Sequence, residues 1–359
     1  MTAALLAALG FMALIVLHEL GHFVVAKLVG MRVERFALFF PPLVWRRQGK
    51  GETEYAIGAI PLGGYVKISG MNPHEELPPE VAHRAYFRQK PWKRIAVILA
   101  GPLVNIVIAF GIYTALTLNN GVAVDGSTII EIQSGLPAEG VLRPDDVLVA
   151  VDGRAGDATE FSQAIATHRC EGEQVKGCRA ASPVTLLIRR GDRTFTETVR
   201  PVYDATEKRM RVGFVQEALR RDTDVVEASG RSVEWMWLVT TTSVDRIVGI
   251  LDPEKRKDIS GIVGSYETTR QAFQLDIQTA LLVLALISLS LGVVNLFPFL
   301  PLDGGHVFWA VAEKIRRKPI PFSVMEKSGF VGFALVLMLF AIGFSNDLER
   351  LAGPGFELR

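Results

Sequence analysis

The sequence predicts a polytopic α-helical membrane protein of about four transmembrane helices, with a membrane-associated β-hairpin on the cytoplasmic face and an inserted extracytoplasmic α+β domain. Three observations carry this expectation. Apolar residues make up 49% of the 359-residue chain and are gathered into long runs parted by polar stretches. Four of these runs reach the roughly 20 residues that a helix needs to cross a bilayer. Basic residues crowd the first and last of the segments between the runs, whereas the middle segment is long and mixed in charge.

The runs cover residues 3–29, 95–118, 277–297 and 322–344. No basic residue precedes the first run and no small-residue cleavage site ends it, so it reads as a span rather than a leader. Glu326 and Lys327 stand near the start of the fourth, whose apolar part begins closer to Ser328. Arg32, Arg35, Arg46, Arg47, Lys50 and Lys67 lie between the first two runs, and Lys314, Arg316, Arg317 and Lys318 between the last two. Loops rich in Lys and Arg stay in the cytoplasm. Both termini and the middle segment are therefore expected outside.

Between the first two spans, EYAIGAIPLGGYVKI (54–68) has two β-prone arms around Pro61-Leu62-Gly63-Gly64, the pattern of a hairpin. The middle segment, 121–205, reads as a small β-rich domain. Strands are expected at Thr128–Ile132 and Val147–Val151, a helix opened by a threonine cap at Thr159–His168, and a hairpin from Val184–Arg190 and Thr194–Arg200. The stretch Ser134–Gly153, SGLPAEGVLRPDDVLVAVDG, resembles the signature of bacterial PDZ domains, which bind extended peptides along a sheet edge. Residues 206–275 read as a linker with an interfacial helix at 231–251, where Trp235 and Trp237 mix with Glu234, Asp245 and Arg246. The expected division is thus 1–120, 121–205, 206–275 and 276–359. His74, His83 and His168 read as surface residues. The two cysteines, Cys170 and Cys178, are either plain thiols or a local disulfide in an oxidising compartment. The net charge of +1 and the lack of a basic tract give no sign of a nucleic-acid partner.

The chemistry lies in the apolar runs. His18-Glu19-Leu20-Gly21-His22 is an H-E-x-x-H motif. Four residues apart on a helix, the two imidazoles share a face and can hold one Zn²⁺, with Glu19 beside them to take a proton from water. Ionisable groups inside a span are expensive, about 2.5–3.5 kcal/mol each on insertion scales, so they mark function more often than helix packing. A catalytic zinc site has three protein ligands and an open position. The third candidate is Asp303 in NLFPFLPLDGGH (295–306), where Pro298 and Pro301 break the third span. His306 is expected to pack rather than ligate.

HELGH and NLFPFLPLDGGH together resemble the site-2 protease family of intramembrane zinc metalloproteases, in its bacterial RseP-like branch, and the likeness runs in order over nearly the whole chain. It implies His18, His22 and Asp303 as zinc ligands and Glu19 as the catalytic base. It also implies substrate-backbone contacts from Asn295 and from Gly64, Tyr65 and Val66 of the hairpin. The segment Ala100–Asn105 matches one that opens the family's second span. By the same resemblance, the partners are the lipid bilayer, membrane-protein substrates with a transmembrane helix (anti-sigma factors or remnant signal peptides) and a peptide at the PDZ-like groove. The setting is a bacterial inner membrane with the active site near the cytoplasmic face. The alternative is a non-proteolytic PDZ adaptor that retains the protease fold.

Overall fold

The computed structural model describes residues 2–72, 75–205, 207, 209–250, 252, 256, 259–318 and 320–353. Its longer helices are α1 (Thr2–Leu28), α2 (Pro91–Asn120), α3 (Ala158–Ala166), α4 (Val225–Val248), α5 (Ile262–Leu275), α6 (Ile277–Asn295), α7 (Asp303–Arg316) and α8 (Phe322–Ala352). Among the described residues four helices are long and apolar enough to cross a membrane: α1, α2, α6 and Ser323–Ala352 of α8. They coincide with the four apolar runs. The chain forms two compact units, Met1–Leu116 with Ser229–Arg359, and Thr117–Ala228.

In the first unit the spans meet through small residues. Ala7, Gly21 and Ala26 of α1, Ala100, Gly101 and Ala109 of α2, and Ala280, Ala285 and Gly292 of α6 are all buried. Lipid tails give helices no hydrophobic reason to associate, so close backbone approach over small residues supplies the packing. The Asp276 side chain caps α6 by accepting from the Thr279 N–H. Pro298 and Pro301 then separate α6 from α7.

The two strands of this unit are β1 (Val33–Gln48) and β2 (Glu54–Ile68). Their pairing corrects the expected hairpin within 54–68. Residues 35–38 stand between its two arms: Phe36 pairs with Tyr55 on one side and with Val66 on the other, while Arg46 pairs with Ala56. The sheet therefore runs 43–48, 54–58, 35–38, 64–68, with 64–68 at one edge. The physical reason is that β1 also folds back on itself around Phe39, whose φ is 66°, and Pro41-Pro42. Its first arm then supplies the partner that each arm of β2 needs.

Residues 231–248, expected at the interface, are helical. Ser232, Trp235, Met236 and Val239 follow an i, i+3, i+4, i+7 spacing and form one face of α4. That face packs against α2 and α6: Trp235 stacks on Tyr113 at 4.4 Å, Ser232 Oγ lies 2.8 Å from Thr114 Oγ, and Met236 and Val239 join the cluster around Ala109, Ala285 and Leu289. Leu251 lies outside the described residues.

In the second unit the sheet order is β10-β3-β4-β6-β7, formed by Phe214–Arg221, Val122–Ile132, Val147–Val151, Val184–Arg190 and Arg193–Val199. β5 (Arg154–Ala155) pairs with β4, and β8 (Val202–Asp204) pairs with β9 (Arg209–Arg211). Helix α3 packs Phe161 and Ile165 into the core of Ile129, Leu148, Val151, Leu186 and Ile188. Two expectations are corrected. The unit continues past residue 205, because Phe214–Arg221, placed in the linker, adds a strand beside β3. The cap of α3 is Asp157 rather than Thr159: Asp157 accepts from the N–H groups of Thr159 and Glu160, and Glu160 accepts in return from the Asp157 N–H. Cys170 and Cys178 form a disulfide.

Candidate metal centre

The site grows out of one face of α1. His18 and His22, one turn apart, are both buried at 7% exposure. Helix α2 crosses them at Gly101, where a Cβ would lie only 2.3 Å from His22 Nε2 and 2.8 Å from His18 Nε2. Four residues earlier on α2, the Val97 carbonyl accepts a 2.8 Å bond from His22 Nδ1. That bond turns the His22 Nε2 atom toward the site, the usual arrangement for an imidazole ligand. From the far end of the chain, the break after α6 brings Asp303 to the same point. Gly304 sits so close to the Leu296 and Phe297 backbone that a Cβ would meet the Leu296 carbonyl at 2.2 Å.

The three donor atoms form a nearly equilateral triangle. Asp303 Oδ2 is 3.2 Å from His18 Nε2 and 3.3 Å from His22 Nε2, and the two Nε2 atoms are 3.3 Å apart. Ligands at the usual zinc distances of about 2.0–2.2 Å on a tetrahedron stand about 3.3–3.6 Å from one another. The buried Asp303 Oδ2 also makes no hydrogen bond of acceptable geometry. The three atoms converge on a shared point. Two imidazoles and a carboxylate are a zinc donor set, and the triangle fits that ion.

Glu19 is half-buried beside the triangle. Gly64 lies against it, since a Cβ there would be 3.1 Å from Glu19 Cγ, and the Val66 backbone N–H is within bonding reach of its carboxylate. The edge segment 64–68 thus borders the site. Tyr65 stacks on Phe40 at 6.2 Å and its hydroxyl accepts from Arg35. Asn295, half-buried, is the last residue of α6. His306 packs edge-on against Tyr86. His83 is exposed and His74 lies outside the described residues. His168 departs from the surface expectation: its side chain is 10% exposed, with Nε2 2.9 Å from Asp152 and Nδ1 3.1 Å from Ser182, because the turn after β4 folds over it.

Sequence reasoning did not find Val97 and Gly101 as parts of the site, nor the ion pair of Arg94 with Glu313 that ties α2 to α7. Gly101 had a signal, as a glycine with small neighbours in a span that must approach the motif helix. The Val97 carbonyl had none, since its role depends on register.

Comparison with known proteins places the chain in a family. The profile of peptidase family M50 matches residues 6–339. The chain belongs to this family, the site-2 proteases. It is 30% identical over 345 residues to a protein of Clostridium perfringens, covering 95% of this chain and 97% of that one. It is 29% identical over 348 residues to a protein of Clostridium acetobutylicum, covering 96% of each. A protein of Rhizobium meliloti is 29% identical over 364 residues, covering 95% and 94%. All three bear the name "Putative zinc metalloprotease". Among solved structures, the PDZ domain of an SdrC-like protein from Listeria innocua aligns with 27% of this chain and 98% of its own, at 15% identity and a TM-score of 0.22. As an M50 member the chain is a zinc metallopeptidase.

Proposed function

We propose that this M50 protein is an endopeptidase that cuts single-pass membrane proteins within the bilayer. His18, His22 and Asp303 hold its zinc and Glu19 acts as the base. The observation that carries the reading is the triangle of donor atoms drawn from one apolar helix, α1, and from the break that follows a second, α6. Zinc bound there supplies Lewis acidity, which polarises a peptide carbonyl and lowers the pKa of water toward about 7. Glu19 takes the proton from the attacking water and returns it to the leaving amine, so its half-buried place against Gly64 keeps it at the reacting atoms. A transmembrane helix hides its peptide groups in its own hydrogen bonds. The substrate therefore unwinds and pairs, as an extended strand, with the free edge at 64–68, while the Asn295 amide bonds its backbone.

The site faces the cytoplasmic side of a bacterial inner membrane, with both termini and the Thr117–Ala228 unit outside. The loop charges support this orientation, and so does the Cys170–Cys178 disulfide, which belongs in an oxidising compartment. Anti-sigma factors and remnant signal peptides are the substrate classes, and the edge strand β10 is where an external peptide would add to the second unit. The test is Glu19→Gln in detergent-solubilised protein with a single-pass model substrate. Cleavage is expected to fall by at least ~10²-fold, the scale of a lost general base, with zinc content unchanged. An adaptor that merely retains the fold cuts nothing even before the substitution, and that result would end the reading.

A further inference from the structure

The two imidazoles are not supported alike. His22 Nδ1 is bonded to the Val97 carbonyl, whereas His18 Nδ1 is buried with no hydrogen-bond partner among the described residues. A second orphan lies on the same stretch of α2: both polar atoms of the Asn105 amide are buried and unbonded, and the residue is 0% exposed. Buried amides of this kind are rare, and each calls for a partner. Register indicates which one. Val97, Gly101 and Asn105 are four apart and share a face of α2, while His22 and His18 are four apart on α1. Val97 meets His22 and Gly101 meets both rings, so the next turn of α2 comes level with the far side of His18. Ser288 of α6 holds the Asn105 main chain, its hydroxyl donating to the Asn105 carbonyl at 2.9 Å.

We propose that Asn105 is the positioning residue of His18, its amide oxygen receiving the Nδ1–H across one buried water. The bond fixes the tautomer that leaves Nε2 bare toward the metal, as the Val97 carbonyl does for His22. The two supports come from one face of α2, on either side of Gly101. The inference rests on the reading of His18 as a zinc ligand.

The test is zinc affinity, measured by chelator competition on the full chain in detergent, with the visible spectrum of the Co²⁺ form as a second readout. Asn105→Leu, with the same branched heavy-atom skeleton but without an acceptor, is expected to weaken zinc about 10–100-fold, the range seen when such supports are removed, and to shift the Co²⁺ bands. Asn105→Asp keeps an acceptor and is expected to restore wild-type affinity. Ser288→Ala perturbs the same α2–α6 contact and should leave the metal untouched. Wild-type affinity in Asn105→Leu overturns the proposal, as does equal weakening by Asn105→Leu and Ser288→Ala, which would reduce the effect to packing. Lack of zinc in the wild-type protein overturns the metal reading and this inference with it, whereas zinc bound equally well by all variants overturns the inference alone.

Discussion

Gly101 shows how much one hydrogen atom decides. Helix α2 approaches the two Nε2 atoms so closely that even a methyl group would overlap them. Overpacking a tight contact costs about 1–3 kcal/mol and is relieved by moving backbone. Here the backbone that must move carries the Val97 carbonyl. Gly101→Ala is therefore expected to lower zinc occupancy and cleavage together, by an order of magnitude or more, while the helical content seen by circular dichroism stays the same. Zinc analysis of purified protein checks this. Asp146 is a second residue whose role is set by its contacts. Burial alone would raise its pKa, but the bidentate Arg190 guanidinium (2.6 and 2.7 Å) and the Arg143 N–H (2.8 Å) outweigh that, and the net shift is downward. A carboxyl whose folded pKa lies below its unfolded value stabilises the fold above the unfolded pKa. That stability is lost as pH falls through the folded value. Proteolysis of the Thr117–Ala228 unit should accordingly speed up as pH drops below about 4. Asp146→Asn is expected to raise the neutral-pH rate and flatten the acid dependence.

At the scale of elements, the question is what each strand or helix has as a neighbour. The 64–68 edge borders Glu19, with the Val66 N–H within reach of that carboxylate, and it is the edge on which the proposed substrate strand would add. Val66→Pro removes the donor without removing a donor to the metal. Turnover of a transmembrane substrate should fall at least tenfold while zinc stoichiometry holds. A soluble peptide that is already extended should be cut with a smaller loss, because it needs less help to present its backbone. The contrast between the two substrates is the measurement. Elements set by local pattern were legible beforehand. The four long apolar helices followed from runs of apolar residues, and β4 was read at Val147–Val151. His18 and His22 followed from helical spacing, and Asp303 from prolines that end a span. What escaped depends on contacts distant in sequence. Nothing in 54–68 reveals that 35–38 will part its arms. Nor does anything in 231–248 say that Trp235 will stack on Tyr113. The cap of α3 was missed for a more local reason. Asp157 and Thr159 are both good caps, and only the reciprocal Glu160 bond, a three-residue spacing from Asp157, separates them. Asp157→Ala should cost the second unit about 1 kcal/mol, read from its denaturant midpoint.

Across the whole molecule the metal site joins what the chain order keeps apart. His18 and His22 come from its first helix, and Asp303 follows the penultimate span. Small residues let α1, α2 and α6 approach, but such contacts in lipid are individually weak. In the proposed site, a zinc ion held by α1 and α7 would add a link present only in the folded arrangement, so its binding free energy would also be folding free energy. Stabilisation by a ligand that binds only the folded state follows RT ln(1 + [L]/Kd), about 4 kcal/mol at a thousandfold excess over Kd. Stripping the metal with a chelator should therefore lower the thermal unfolding temperature of the detergent-solubilised protein by several degrees, and added zinc should restore it. Asp303→Ala breaks the link while leaving both histidines on one helix, where two imidazoles alone bind weakly. Its unfolding temperature should match that of the stripped wild type and should not respond to chelator. The Glu19→Gln protein, which keeps all three donors, should respond as the wild type does. If Asp303→Ala responded to chelator like the wild type, the carboxylate would not share the ion with the histidines, and α7 would be held in place by packing and by the Arg94–Glu313 pair that ties it to α2.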